Sequence, residues 1–308
     1  MMRKTLLSIC FLLIALFAVD RMGGWLMLQV CRHSHEPVVC KINHLVENGV
    51  HQEVVLFGTS RCNVHYVPSI LRDSLGLSVY NAGLDASNNI FVQYMALNYV
   101  LAAGEPRVIC LEVGTSDYDY DPEAFIPTSF FAPYLSRSAA ADSVLRIAGS
   151  YPLYVLSHLY RFNSKSVAAL SGLLVDQLAG MQDGYKPQNR PRTMLTQLIE
   201  DQTPDTVDSL KLAYVEKFIT VCRQHSIRLI MMVSPCYTKA APDRYDVLKQ
   251  LAASYDVPFL DYHSSGLFHD RPDLFYDEQH LWDEGARAYT SVFAHDLKRI
   301  LKKVNNEG

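Results

Sequence analysis

Phe57-Gly58-Thr59-Ser60-Arg61 sets a serine directly after a short apolar run, where a buried strand would end and the chain would turn out at the carboxyl edge of a sheet. A serine so placed is exposed, and the backbone N–H groups beginning with its own can face an oxyanion developing on a carbonyl that it attacks. The same Gly-Thr-Ser is also an ordinary turn. A second candidate set lies far down the chain, in Tyr276-Asp277-Glu278-Gln279-His280-Leu281. Asp277 and His280 stand three apart on one loop, so the carboxylate can orient the imidazole and stabilise its protonated form. The other ring nitrogen is then free to take a serine proton. Alone, Asp277 could cap a turn and His280 could be a partly buried aromatic. Taken together, Ser60, Asp277 and His280 supply a nucleophile, an orienting acid and a base.

Other residues carry less. Arg61 could hold a substrate carboxylate or phosphate through its forked guanidinium, or could make a salt bridge or helix-end contact. Cys62-x-x-His65 has no second ligand pair at zinc-site spacing and no His-Glu-x-x-His occurs, so no metal or other cofactor is expected. His65 could line the site, though helix packing or the surface is its expected place. Tyr276 and Trp282 flank the Asp-His loop, with packing as the expected duty. No Gly-rich phosphate loop or dinucleotide fingerprint follows the first apolar run.

The elements that must position these residues alternate. Apolar runs at 53–58, 78–83, 107–114, 227–234 and 257–261 end in Gly, Ser or Asp, as strands buried on both faces of a parallel sheet do. Helical stripes separate them, for example Ile90, Tyr94, Leu97 and Leu101, then Val207, Leu210, Tyr214, Phe218 and Val221, and finally Tyr289, Phe293, Leu297 and Ile300. Alternation of this kind predicts an α/β fold of about five parallel strands in a three-layer sandwich, with the site at the carboxyl ends of the strands. Residues 118–204 break the pattern and are expected to be a helical insertion. Its aromatic clusters at 130–134 and 151–154 could line a substrate groove or pack a cap onto the sheet.

The 308 residues are 49% hydrophobic and 19% charged, enough for a substantial core of one large domain. A net charge of -4 offers no broad basic field, which argues against nucleic acid as a partner. At the N-terminus Arg3 and Lys4 precede an apolar run over 5–19, closed by Asp20 and Arg21. With the weakly polar stretch 22–30 added, residues 1–30 are expected to form an uncleaved signal anchor. Its positive end would face inside and the bulk of the chain would lie outside the cytoplasm, with 31–52 as connector and 53–308 as the catalytic domain. The seven cysteines are no disulfide framework; Cys31 and Cys40 could bridge or remain free thiols.

A serine after the first strand, a glycine ending the second, Gly114-x-x-Asp117 ending the third and Asp277-x-x-His280-Leu281 before the last helix resemble, in order and spacing, the four sequence blocks of the SGNH (GDSL-like) hydrolase superfamily. The resemblance covers residues 53–308. It implies a flavodoxin-like α/β/α sandwich, Ser60 as nucleophile, His280 as general base and Asp277 as its orienting partner. It further implies an oxyanion held by the Ser60 N–H, the Gly83 N–H and an asparagine side chain in the third block. Ser116 stands where that asparagine is usual, so Ser116 itself, or Asn81 or Asn88, would have to substitute. Gly58-Thr59-Ser60-Arg61 is similar to the membrane-anchored branch of the superfamily, which includes the D-alanyl-transfer protein of teichoic-acid modification and accessory proteins of polysaccharide O-acetylation. That likeness implies an extracytoplasmic esterase or O-acyltransferase acting on acylated polysaccharide or another envelope ester. A membrane-bound O-acyltransferase is the expected partner, and the alternative is an inactive glycan-binding or scaffold protein of the same fold.

Overall fold

The structure, a computed structural model, describes residues 2–85, 89–163, 165–178, 180–189, 195, 197–201 and 206–305. The chain divides into two compact units, Met1–Asn48 with Thr128–Ala179, and Gly49–Pro127 with Gly180–Gly308. In chain order the helices are α1 (Met2–His33), α2 (Pro37–Asn43), α3 (Ser60–His65), α4 (Pro68–Leu75), α5 (Ile90–Ala103), α6 (Ala139–Ile147), α7 (Tyr151–Leu156), α8 (Ser166–Leu174), α9 (Ser209–Gln224), α10 (Asp246–Ser254) and α11 (Asp283–Asn305). The strands are β1 (Val54–Phe57), β2 (Val79–Asn81), β3 (Val108–Glu112), β4 (Ile199–Glu200), β5 (Arg228–Val233), β6 (Thr238–Lys239) and β7 (Phe259–Asp261).

The larger unit is built on a five-stranded, all-parallel sheet in the order β2-β1-β3-β5-β7. Its strands are the five apolar runs of the sequence. Every residue of β1 and β3 is buried, because helices cover both faces and leave no side to water. One face packs Val54, Leu56, Cys110, Ile230 and Met232 in one cluster with Tyr66, Leu71 and Tyr289, Phe293 and Leu297 of α11. On the opposite face Phe57 meets Phe218 of α9 edge-on, with ring centroids 5.6 Å apart. The result is the expected three-layer α/β/α sandwich. Local signals fix the helix starts: Asn89 caps α5 through Phe91 N–H, and Asp208 caps α9 through the N–H groups of Leu210 and Lys211. Val207, read in sequence as the first residue of the α9 stripe, lies ahead of the helix in an isolated bridge with Asp119. β4 and β6 form a separate two-stranded pair.

The smaller unit joins α1 and α2 to α6, α7 and α8. Cys31, Val39, Phe162 and Ala169 make its core, with Met27, Leu28 and Val30 packed around them. The stretch 31–52, expected as a polar connector, is largely helical and buries Val38, Val39, Ile42 and Leu45. Its polar residues are paired within the unit: Arg32 forks onto both oxygens of Glu47 at 2.7 and 2.8 Å, and Tyr134 donates to Asn43. Cys31 and Cys40 are free thiols. α1 is long and apolar enough to cross a membrane, and residues 2–14 and 16–19 are exposed along it. From Asp20 onward the same helix packs on its own unit, where Asp20 accepts the N–H groups of His158 and Leu159 at 2.9 and 3.2 Å.

Candidate active site

In the order β2-β1-β3-β5-β7 the chain goes to one side of β1 for β2 and to the other side for β3. Open α/β sheets leave a crevice at such a reversal, outside the carboxyl ends of the two strands. Ser60 stands just past β1 as the first residue of α3, and Ser116 lies just past β3 in the 3-10 turn Thr115–Asp117. Gly58 makes the approach possible. Its φ is +154°, and a Cβ there would stand 2.6 Å from that of Cys62 and 2.9 Å from that of Glu112. Its two backbone polar groups are both taken by the Gln93 amide.

His280 comes to the same edge on a pinched loop. Phe275 and Leu281 form an isolated antiparallel bridge, and Tyr276 N–H donates to His280 O at 2.8 Å. His280 Nε2 lies 2.9 Å from Ser60 Oγ, and His280 Nδ1 lies 2.9 and 3.0 Å from the two oxygens of Asp277. Since an ionised carboxylate only accepts, the hydrogen-bond pattern assigns the proton to Nδ1 and leaves Nε2 to accept from the serine hydroxyl. Asp277 Oδ1 also takes the N–H groups of Gln279 and His280, each at 2.8 Å. Burial works against its charge, but the hydrogen bond from His280, the charge of that ring and those two N–H groups hold its carboxyl below the usual range.

Ser60 opens on a cavity of about 530 Å³ that Arg61, Thr115, Ser116, Tyr120, Lys211, Arg244, Tyr245, His263 and Gln279 help to line. Charged and hydroxyl side chains dominate that wall. His263, buried against Tyr245 and Thr238, has its pKa pushed down to about 4 by burial and by the Arg61 charge, so its ring is neutral.

Arg61 is not a free anion clamp. Its Nε lies 3.3 Å from Glu112 Oε1, and its other nitrogens donate to Val113 O and Cys236 Sγ, each at 3.2 Å. Burial opposes its charge, but Glu112, Cys236 and Tyr245 together more than offset this and keep the guanidinium protonated.

Gly83 differs from what the family blocks imply. Its N–H donates to Asn81 Oδ1 at 2.9 Å, so it is spent within the fold. A Cβ at Gly83 would stand 2.6 Å from the Asn63 nitrogen, which makes close packing of the β2 exit against α3 the physical reason for glycine. Asn81 is likewise occupied: its Nδ2 donates to Cys62 O at 2.7 Å and Tyr66 O at 3.0 Å. Asn88 lies outside the described residues. Beside Ser60 the cavity meets the start of α3, where the Ser60 and Arg61 N–H groups precede the first intrahelical hydrogen bond, and Ser116.

One buried polar chain escaped the sequence reading. Leu281 N–H donates to His65 Nε2 at 2.9 Å, His65 Nδ1 meets Ser234 Oγ at 2.8 Å, and Ser234 Oγ donates to Glu112 Oε1 at 2.5 Å. Burial and the neighbouring charges of His280 and Arg61 hold the His65 pKa well below its ordinary value, as a ring accepting an N–H requires. The available signal was Glu112, an acid inside an otherwise apolar strand run, which a fold tolerates only with partners. Among the described residues no cluster of three His, Cys, Asp or Glu side chains could hold a metal ion.

No family model and no curated protein matches the sequence. Solved structures do. A diltiazem-metabolizing enzyme of a gut microbe matches with a TM-score of 0.39 and 11% identity over 81% of this chain and 48% of its own, so this chain spans about half its length. A Desulfitobacterium hafniense protein assigned to the G-D-S-L family of lipolytic proteins matches with a TM-score of 0.37 and 12% identity, over 79% of this chain and 97% of its own. A Bacteroides fragilis protein named as an acylhydrolase matches with a TM-score of 0.38 and 12% identity, over 82% and 86% respectively.

Proposed function

We propose that this protein is a membrane-anchored serine esterase or O-acyltransferase of the SGNH type, acting outside the cytoplasm on acyl esters of cell-envelope glycans. The observation that carries the chemistry is the unbroken line Ser60 Oγ, His280, Asp277 at the mouth of a polar cavity. Ser60 Oγ attacks the ester carbonyl carbon while its proton passes to His280 Nε2, and Asp277 stabilises the imidazolium. The ester C–O bond breaks, the alcohol leaves with the proton from His280, and an acyl-Ser60 intermediate remains. Water or a sugar hydroxyl then gives a proton to His280 and takes the acyl group, which restores Ser60. Backbone N–H groups at the start of α3 and the Ser116 hydroxyl are the donors offered to the oxyanion. A wall of charged and hydroxyl groups suits a hydroxyl-rich acceptor and a short acyl group better than a long hydrocarbon chain.

The anchor reading draws on α1, whose exposed apolar residues follow Arg3 and Lys4, the positive flank expected on the cytoplasmic side. Acylated polysaccharide as substrate and a membrane-bound O-acyltransferase as acyl source follow from the likeness of the Gly-Thr-Ser-Arg block. The commitment of Gly83 and Asn81 to the fold favours one variant of this reading, a slow enzyme or a non-catalytic glycan-binding partner of such an acyltransferase.

A fluorophosphonate probe on the full chain in detergent, with hydrolysis of a short acetyl ester in parallel, tests the enzyme. Labelling and turnover in the wild type, both lost in Ser60→Ala, are expected. Equal labelling of the two proteins removes the enzymatic claim and leaves the binding one.

A further inference from the structure

The smaller unit exposes more than α1. Leu153, Val155 and Leu156 on α7 and Leu159 in the following turn are each between 40% and 73% exposed. Soluble proteins seldom leave large aliphatic side chains so concentrated in one short stretch, and a contiguous patch of this kind marks an interaction surface.

The patch is tied to α1 at a definite level. Gly23 and Gly24 let the α1 backbone come close: a Cβ on Gly23 would stand 2.9 Å from Leu159 Cδ2, and one on Gly24 would stand 2.4 Å from His158 Cβ. Asp20 accepts the His158 and Leu159 N–H groups and the Ser157 hydroxyl, and Arg21 donates to Leu156 O at 3.4 Å. At 1.5 Å per residue, residues 5–24 of α1 are about 30 Å long, the thickness of a bilayer's hydrocarbon core. The turn that carries Leu156 and Leu159 therefore meets α1 where that span ends, opposite Arg3 and Lys4.

We infer that the outer face of the bilayer covers this patch, so that α7 and the 157–162 turn are an interfacial membrane element beside the exit of α1. The inference rests on the membrane reading of α1 and extends it from one helix to a unit. Three further features agree. The Asp20 charge, one helical turn inside the end of that span and costly there, has its oxygens satisfied by the turn itself. Trp25 is exposed one residue past the span, and Tyr151 accepts from Arg146 at 2.8 Å, an aromatic and basic fringe of the kind found at headgroups. Of the basic side chains within 128–179, Arg137 and Arg146 are exposed, which suits anionic lipid.

The test is bilayer photolabelling with a lipid-partitioning aryl diazirine, mapped by mass spectrometry. The wild-type full chain is used both in its native membranes and in pure phosphatidylcholine–phosphatidylglycerol vesicles. Labelling of residues 2–26 and of 151–162 in both preparations, with a fivefold or greater loss over 151–159 in Leu156→Asp but not over 2–26, is the expected result. Labelling of 2–26 without 151–162 overturns the inference and leaves the anchor standing. Labelling of neither segment overturns both. Labelling of 151–162 in the vesicles but not in native membranes also overturns it, and assigns the face to a protein partner.

Discussion

The Leu281 N–H donates to His65 Nε2 at 2.9 Å, so a buried histidine at the end of the nucleophile's own helix holds the backbone one residue beyond His280. His65 thereby sets how far the His280 ring stands from Ser60, without itself reaching the reacting atoms. His65→Gln keeps an acceptor near the position of Nε2 and should retain activity within a few fold. His65→Asn keeps only the Ser234 side of the contact and should lose about 10²-fold in kcat with KM unchanged, the usual cost of displacing a reacting group by about 1 Å. Steady-state kinetics with a soluble acetyl ester decides. Equal losses in both variants would reduce His65 to a packing residue.

Asp277→Asn preserves shape and reverses a hydrogen bond. An asparagine Nδ2 facing His280 would favour the tautomer with its proton on Nε2, which cannot accept from Ser60. A fall in kcat of roughly 10³- to 10⁴-fold is expected, with the fold intact by circular dichroism. Ser60→Ala should lose more still. Full activity in Asp277→Asn would mean that the Asp277 contact is incidental.

Ser116→Ala tests the oxyanion side, where Gly83 and Asn81 have been withdrawn into the fold. If the Ser116 hydroxyl is a donor, its loss should lower kcat about 10²-fold. Ser116→Asn, with a longer donor, should keep or raise it. An unchanged kcat in Ser116→Ala would leave the α3 N–H groups as the whole oxyanion site.

Arg61 and Glu112 should be unequal partners to lose. With the Glu112 side chain 1% exposed and that of Arg61 13% exposed, Arg61→Met strands a carboxylate away from water. Removing one member of a buried pair costs about 3–5 kcal/mol. Adding Glu112→Gln should recover a large part of that, read as the unfolding midpoint of the detergent-solubilised chain. A double variant no more stable than Arg61→Met would show that the pair is not the reason for the loss.

The fold was legible because parallel strands buried on both faces must be apolar throughout, and five such runs ending in Gly, Ser or Asp admit few other arrangements. The Ser60, Asp277 and His280 positions were readable from strand-end chemistry and loop spacing. Arg61 was ambiguous because a guanidinium beside a nucleophile looks the same in sequence whether it meets substrate or Glu112, a residue 51 positions away. Gly83 was misread for a related reason: a glycine that frees its N–H and one that merely makes room for Asn63 share one letter. Residues 31–52 looked like a connector because their apolar residues are dispersed among polar ones that pair only in three dimensions, as Arg32 does with Glu47. The grouping of 128–179 with α1 depends on long-range contacts such as Asp20 with His158, which no local pattern encodes.

Asp117 gives the chain a pH dependence whose sign can be worked out. Burial, with Glu112 nearby, raises its pKa from 3.8 to about 7, although Gly114 N–H donates to one oxygen; the other oxygen has no hydrogen-bond partner. Between these two values the native state keeps a proton that the unfolded chain has released, so the contribution of Asp117 to stability falls as pH rises from about 4 to 7. Near three pKa units, the loss amounts to about 4 kcal/mol once complete. Asp117→Asn is neutral throughout and can still accept from Gly114, so it lacks this loss. All other titrating groups are common to both proteins, and their effects largely cancel in the difference. Relative to wild type, Asp117→Asn should therefore gain about 4 kcal/mol between pH 4 and pH 8, measured as the difference in unfolding free energy at the two pH values. A difference independent of pH would show that Asp117 is ionised and solvated in the native protein.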